Sequence, residues 1–198
     1  MMVKEDCSFC DEFEHGLIIH GKNYGDRILW STENFVVFPV LGPIVAGNIL
    51  IAPKQHYMGV TGIPEQFYDE LEEIQEKTKR KVTEVYQPPF FFEHGEVGER
   101  PRGGNCIDHA HLQVIPSNVG YHVVAALERK FTRRVVKNYH DLRPNKEQRI
   151  PYIDVPDALT SQYVRQIIAV QIGNPSRWDW RNDYRIDEML IAAERLRS

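Results

Sequence analysis

Three short apolar runs, 28–30, 35–38 and 49–51, open the patterned part of the chain, the last two separated by Pro and Gly. Short runs of Ile, Val, Leu and Phe bounded by such residues predict strands. The period then changes. Over 64–86, Phe67, Leu71, Ile74, Val82 and Val85 fall on one side of a helix, Pro64 suits its first position, and acids precede bases along it. Two further strand patterns, 90–93 and 109–115, frame a glycine-rich stretch. Strands around one long helix predict an α+β domain with a largely antiparallel sheet. Past residue 116 the pattern predicts a strand at 149–155, a helix at 159–172 with Tyr163, Ile167, Ile168 and Val170 available for packing, and a last helix at 187–196. Gly173-Asn174-Pro175 stops the second of these. With no internal repeat and no low-complexity segment, residues 1–120 are expected to form the main domain and 121–198 an extension packed on it.

The most informative stretch is Asp108-His109-Ala110-His111-Leu112-Gln113-Val114-Ile115-Pro116. Alternate side chains of a strand share a face, so His109, His111 and Gln113 lie together while Ala110, Leu112 and Val114 cover the other side. Two imidazoles and an amide converging on one spot need a polar occupant, phosphate or metal, unless the strand is an edge facing water. Just upstream, Gly103-Gly104-Asn105-Cys106 supplies a turn able to lay backbone N–H groups around an anion.

Composition narrows the function classes. The 198 residues, 42% hydrophobic and 26% charged, suffice for a folded domain with a sizeable core. A net charge of −4 gives no general nucleic-acid signal. The one basic cluster, Arg129-Lys130 with Arg133-Arg134, reads as a solvated face or a local phosphate-attracting patch. No apolar run approaches membrane-spanning length, and a signal peptide is not expected from the polar, charged opening residues. Three cysteines, an odd number, suit a reducing compartment, so a cytoplasmic location is expected. Cys7-x-x-Cys10 has zinc-knuckle spacing and needs two more N or S ligands; His15 and His20 are near in sequence. A redox C-x-x-C would follow a buried strand, and only six residues precede Cys7. Trp178-Asp179-Trp180-Arg181 reads as packing or as an exposed aromatic surface.

Four segments in order, Cys7-Ser8-Phe9-Cys10, residues 47–56 ending in Pro53-Lys54-Gln55-His56, Phe92-Glu93-His94-Gly95, and the 108–116 stretch, resemble the histidine-triad (HIT) superfamily. A glutamine in the third motif position is similar to its H-x-H-x-Q branch, which includes galactose-1-phosphate uridylyltransferases and diadenosine tetraphosphate phosphorylases. The resemblance implies a HIT-like antiparallel sheet over 1–120 with one long helix and a C-terminal helical extension. It implies an enzyme, a nucleotidyl transferase or hydrolase that cleaves the phosphoanhydride of a nucleotide or dinucleoside polyphosphate. His111 would be the nucleophile, forming a nucleotidyl-histidine intermediate. Gln113 can hold a phosphate oxygen but cannot give up a proton, which departs from the hydrolase pattern. Phosphate contacts are implied for Asn105, Cys106 and one of Glu93 and His94, and Lys54 matches the family's P-K-x-H segment. Phe9, Phe13, Phe38 and Leu41 are implied as the nucleoside pocket, with Val40 where many relatives carry a ribose-binding aspartate. A structural zinc is implied on Cys7, Cys10, His56 and His109. The resemblance also implies a homodimer, and the apolar 159–172 helix calls for a partner surface. Two other readings compete: a nucleotide- or RNA-binding module resembling CwfJ-type RNA-processing factors, and a zinc-stabilised scaffold.

Overall fold

A computed structural model describes residues 7–93, 107, 109–129, 132–133, 138–141, 153–154 and 162–198. The expected stretch 94–106, with its glycine turn, lies outside the described residues, as does most of the expected strand 149–155.

The chain forms a five-stranded antiparallel sheet in the order β3-β4-β5-β7-β6. The strands are β3 (Trp30–Ser31), β4 (Phe35–Pro39), β5 (Ile49–Pro53), β6 (Pro89–Phe92) and β7 (Leu112–Pro116). Two-residue pairs, β1 (Ile18–Ile19) with β2 (Lys22–Asn23) and β8 (Thr132–Arg133) with β9 (Ile153–Asp154), lie apart from it. The long helix α2 (Tyr68–Val85) is preceded by a 3-10 turn at Glu65–Phe67. Its buried stripe is Tyr68, Leu71, Ile74, Thr78 and Val82; Val85, expected in the stripe, is exposed because it lies past the last buried turn.

Register assigns the two faces of the sheet. Val37 pairs with Ile51, and Ile51 with Leu112. These residues, with Phe35, Ile49, Ala110 and Val114, pack under α2 in the main core. Leu50 pairs with Gln113 on the opposite face. There Val36, Phe38, Leu50 and Ala52 pack against Cys7, Phe9 and Cys10. The covering element is α1 (Ser8–His15), a helix the pattern did not predict, which Gly16 ends at φ 83°.

The C-terminal part is built into this frame. Helices α3 (Gly120–Glu128) and α4 (Tyr163–Gln171) join Ile115 in one buried cluster through Val123, Val164, Ile168 and Ala169. Ile167 and Ile168 of the 159–172 pattern therefore find cover inside the chain, while Val170, also expected to pack, is exposed. Helix α5 (Ile186–Arg197) sends Leu196 into the main core and packs Met189 on Leu17 and Ile19. Gly42, at φ 60°, lets the segment after α4 approach: a Cβ there would sit 2.4 Å from Cβ of Trp180. Arg165 and Arg185 both donate to the Gly42 carbonyl, and Arg177 and Arg185 to that of Pro43. Among the described residues no helix is long and apolar enough to cross a membrane.

Candidate functional site

The site grows from the lead-in to β7. The strand begins at Leu112, three residues later than the alternation predicts, yet the alternation holds upstream: Ala110 packs with the α2 core, while His109 and His111 lie against Phe9, ring centroids 5.6 Å away in each case. The Ala110 N–H donates to the Tyr57 carbonyl at 2.6 Å, outside any strand ladder.

His109 is 1% exposed. Its Nε2–H donates to the Pro53 carbonyl at 2.8 Å, so the Nδ1 lone pair faces the cysteines. Cys7 Sγ lies 3.3 Å and Cys10 Sγ 3.7 Å from that nitrogen, and Cys10 Sγ lies 3.6 Å from Nδ1 of His56. The ligand atoms of Cys7, Cys10, His56 and His109 all fall within 4.8 Å of one another. Tetrahedral zinc with ordinary Zn–S and Zn–N bonds would put sulfur and nitrogen about 3.6 Å apart. The donor set of two thiols and two imidazoles suits a tetrahedral metal ion, and the three sulfur–nitrogen distances above are close to that value. Burial, above all, holds the His109 imidazole down to a pKa of about 4, the Pro53 bond opposing and the neighbouring His56 and His111 assisting. A neutral imidazole is the form that ligates. His15 and His20 stand outside the cluster: His15 pairs with Asp11 on the surface and His20 lies beside the Tyr184 ring.

His111 is half-buried, and its Nδ1–H donates to the carbonyl of His109 at 2.7 Å. That bond sets the tautomer and leaves the lone pair on Nε2. Gln113 is oriented by a residue the pattern did not single out. Asn48 is fully buried, and its Oδ1 accepts from the Ile44 N–H while its Nδ2 donates to the Val114 carbonyl at 3.1 Å. Main-chain groups thus fix which end of Asn48 is the donor. The same Nδ2 donates to Gln113 Oε1 at 3.2 Å, so Gln113 must keep its NH2 group for something else. The sequence signal for Asn48 was faint, a polar residue between a glycine and a buried strand.

His111 and Gln113 line a cavity of about 290 Å³. Of the residues expected to form a nucleoside pocket, Phe9 and Leu41 line it with Val40 and Leu50. Phe13 packs tilted and Phe38 edge-on against Phe9, at centroid distances of 5.9 and 5.2 Å, and neither lines it. The C-terminal part contributes Gln162, Val164, Arg165, Trp180 and Tyr184 to the lining. Of the tryptophan pair, Trp178 packs on the α3–α4 cluster, whereas Trp180 lines the cavity. Arg27 lines the cavity too; it bonds Glu12 and the Pro39 carbonyl and covers the Phe38 ring, tying α1 to β4. Glu93 accepts from the Val60 N–H at 2.7 Å, capping the 3-10 turn Val60–Gly62. Lys54 donates to the Thr32 carbonyl at 2.6 Å. The expected phosphate contacts His94, Asn105 and Cys106 lie outside the described residues.

No family model and no curated protein matches the chain. Among solved structures it is similar to a Hit-like protein involved in cell-cycle regulation from Bartonella henselae, at 12% identity and TM-score 0.48, over 75% of this chain and 96% of that one. It is also similar to a Zn-bound histidine triad family protein from Mycobacterium smegmatis, at 18% identity and TM-score 0.45, over 74% and 96%. A third is a HIT family protein from Bacillus anthracis, at 16% identity and TM-score 0.46, over 57% and 73%.

Proposed function

We propose that the chain is a nucleotidyl transferase or hydrolase that cleaves a phosphoanhydride through His111. The observation that carries this reading is the His109 carbonyl accepting a hydrogen bond from the His111 Nδ1–H at 2.7 Å, with His111 and Gln113 lining a cavity that Phe9, Val40 and Leu50 also line. In the first half-reaction Nε2 forms a bond to the phosphorus of a nucleotide, and the bond from phosphorus to the bridging oxygen breaks, its electrons leaving with the departing phosphate. The Gln113 NH2, turned outward by Asn48, donates to a non-bridging oxygen throughout. In the second, an oxygen of water, phosphate or a sugar phosphate attacks phosphorus and the N–P electrons return to Nε2; a proton released by water passes to solvent. Gln113 cannot protonate the departing oxygen, which favours leaving groups and acceptors that need no proton from it.

In the same reading Cys7, Cys10, His56 and His109 hold one structural zinc ion. When bound, zinc supplies a cross-link between α1 and the strand lead-in. Fixing His109 also fixes the carbonyl that orients His111. Nucleotide conjugates and dinucleoside polyphosphates, incubated with the protein with and without inorganic phosphate and read by product mass, test the reaction. Release of a nucleoside monophosphate, or of a diphosphate when phosphate is present, is expected; a panel returned intact would contradict it and favour a binding module.

A further inference from the structure

One wall of the cavity comes from the C-terminal part and carries a polar pair that the chemistry at His111 does not use. Gln162 sits at φ 62° immediately before α4 and is 2% exposed. Its Nε2 donates to Asp179 Oδ1 at 3.1 Å. Asp179 also accepts from Arg181 and Asn182, so as an ionised carboxylate it can only receive, and the Gln162 amide can face it only with its nitrogen. That leaves Oε1 as an acceptor, and among the described residues it has no hydrogen-bond partner. A buried acceptor without a donor is destabilising and needs an explanation. Three residues on, Arg165 is 5% exposed and its guanidinium is fixed by the carbonyls of Trp178 and Gly42 at 2.9 and 2.7 Å. Both residues line the cavity, as do the rings of Trp180 and Tyr184. Val40, also in the lining, offers only methyl groups.

We infer that Gln162 and Arg165 form a subsite for the vicinal hydroxyls of the nucleotide's ribose. A phosphate or carboxylate suits Arg165 but presents only acceptors to Oε1. An ammonium suits Oε1 and is repelled by Arg165. Two neighbouring hydroxyls satisfy both, because each can donate once and accept as well. The sugar's C–H face then meets the aromatic rings. The sequence gives the expected ribose position an aliphatic residue, and the C-terminal part supplies the polar group instead.

The inference rests on the nucleotidyl reading above, and its test separates the two. The four ribonucleoside monophosphates and their 2′,3′-dideoxy forms are titrated by calorimetry into the full chain and into Gln162→Asn. Asparagine tolerates the left-handed backbone and withdraws the carbonyl by one methylene. In the wild type the best-bound base should lose about tenfold in affinity when its two hydroxyls are removed, the scale of a hydrogen bond to a buried group. In Gln162→Asn that gap should shrink below about twofold, with dideoxy affinity unchanged, which also shows the variant folded. Equal wild-type affinity for the ribose and dideoxy forms would overturn the subsite and leave the chemistry at His111 standing. An unchanged gap in the variant would remove Gln162 from it. Absence of binding by every nucleotide would overturn both readings. The wild-type comparison stands without the variant should the latter prove unstable.

Discussion

A single buried amide decides what Gln113 can do. Because the Ile44 N–H and the Val114 carbonyl fix the two ends of Asn48, Gln113 is left as a donor. Asn48→Ala would take the side-chain acceptor from the Ile44 N–H and a donor from the Val114 carbonyl, and would release the Gln113 amide. A loss of about 2 kcal/mol is expected, within the range for uncovering buried polar partners, and turnover should fall with it. Gln113→Ala, which keeps the Asn48 bonds to the main chain, should cost turnover with a smaller loss of stability. Melting curves and initial rates of the two variants check this; an Asn48→Ala protein with wild-type melting would show that the clamp does not hold. At this scale the sequence was readable where side chains repeat. His109, His111 and Gln113 stand out because a period of two puts them on one face. Asn48 and Gln162 do not, since each is a lone amide with no periodic neighbour, and their partners Gln113 and Asp179 lie 65 and 17 residues away.

Elements were legible in proportion to their periodicity. Helix α2 announced itself through an apolar stripe five turns long, and the central strands through short apolar runs. Helix α1 gave little signal because it has eight residues and buries only Phe9 and Cys10, with Phe13 packed alongside. So short a helix is marginal alone and depends on what it packs against. Helix α3 was missed for another reason: Tyr121 and Val124 are apolar yet exposed, which blurs any stripe. The dependence of α1 on its surroundings carries a prediction. Cys7→Ser with Cys10→Ser, or chelation, should lower the melting temperature, since metal binding to the folded chain is folding free energy. Acid should act in the same direction. An unfolded histidine takes up its proton near pH 6.5, whereas buried His109 stays neutral to about pH 4. Stability is therefore complete above pH 6.5 and is lost as pH falls to about 4, by up to about 3 kcal/mol for His109 alone. Melting temperature and bound metal measured together from pH 7.5 to 4 check this. Melting that is flat over that range, or protein purified without chelator that carries no metal, would contradict the assignment.

Across the whole molecule, the cavity is a joint product of regions far apart in sequence. The His111 wall belongs to the sheet, Phe9 to α1, and Gln162, Arg165, Trp180 and Tyr184 to the C-terminal part. The pattern predicted an extension packed on the core, but not that it would wall the site, because the contact depends on Gly42 and on arginines reaching main-chain carbonyls. Such contacts have no period. The proposed reaction nevertheless turns on one atom, Nε2 of His111, and one bond to phosphorus. The most direct measurement is a rapid acid-free quench of the protein with a radiolabelled nucleotide conjugate, followed by peptide mass mapping. The expected result is one nucleotidyl group on His111, stable in alkali and labile in acid, and absent from His111→Ala. A label on another residue, or turnover by His111→Ala above about a hundredth of the wild-type rate, the size of a modest acid–base effect, would contradict it.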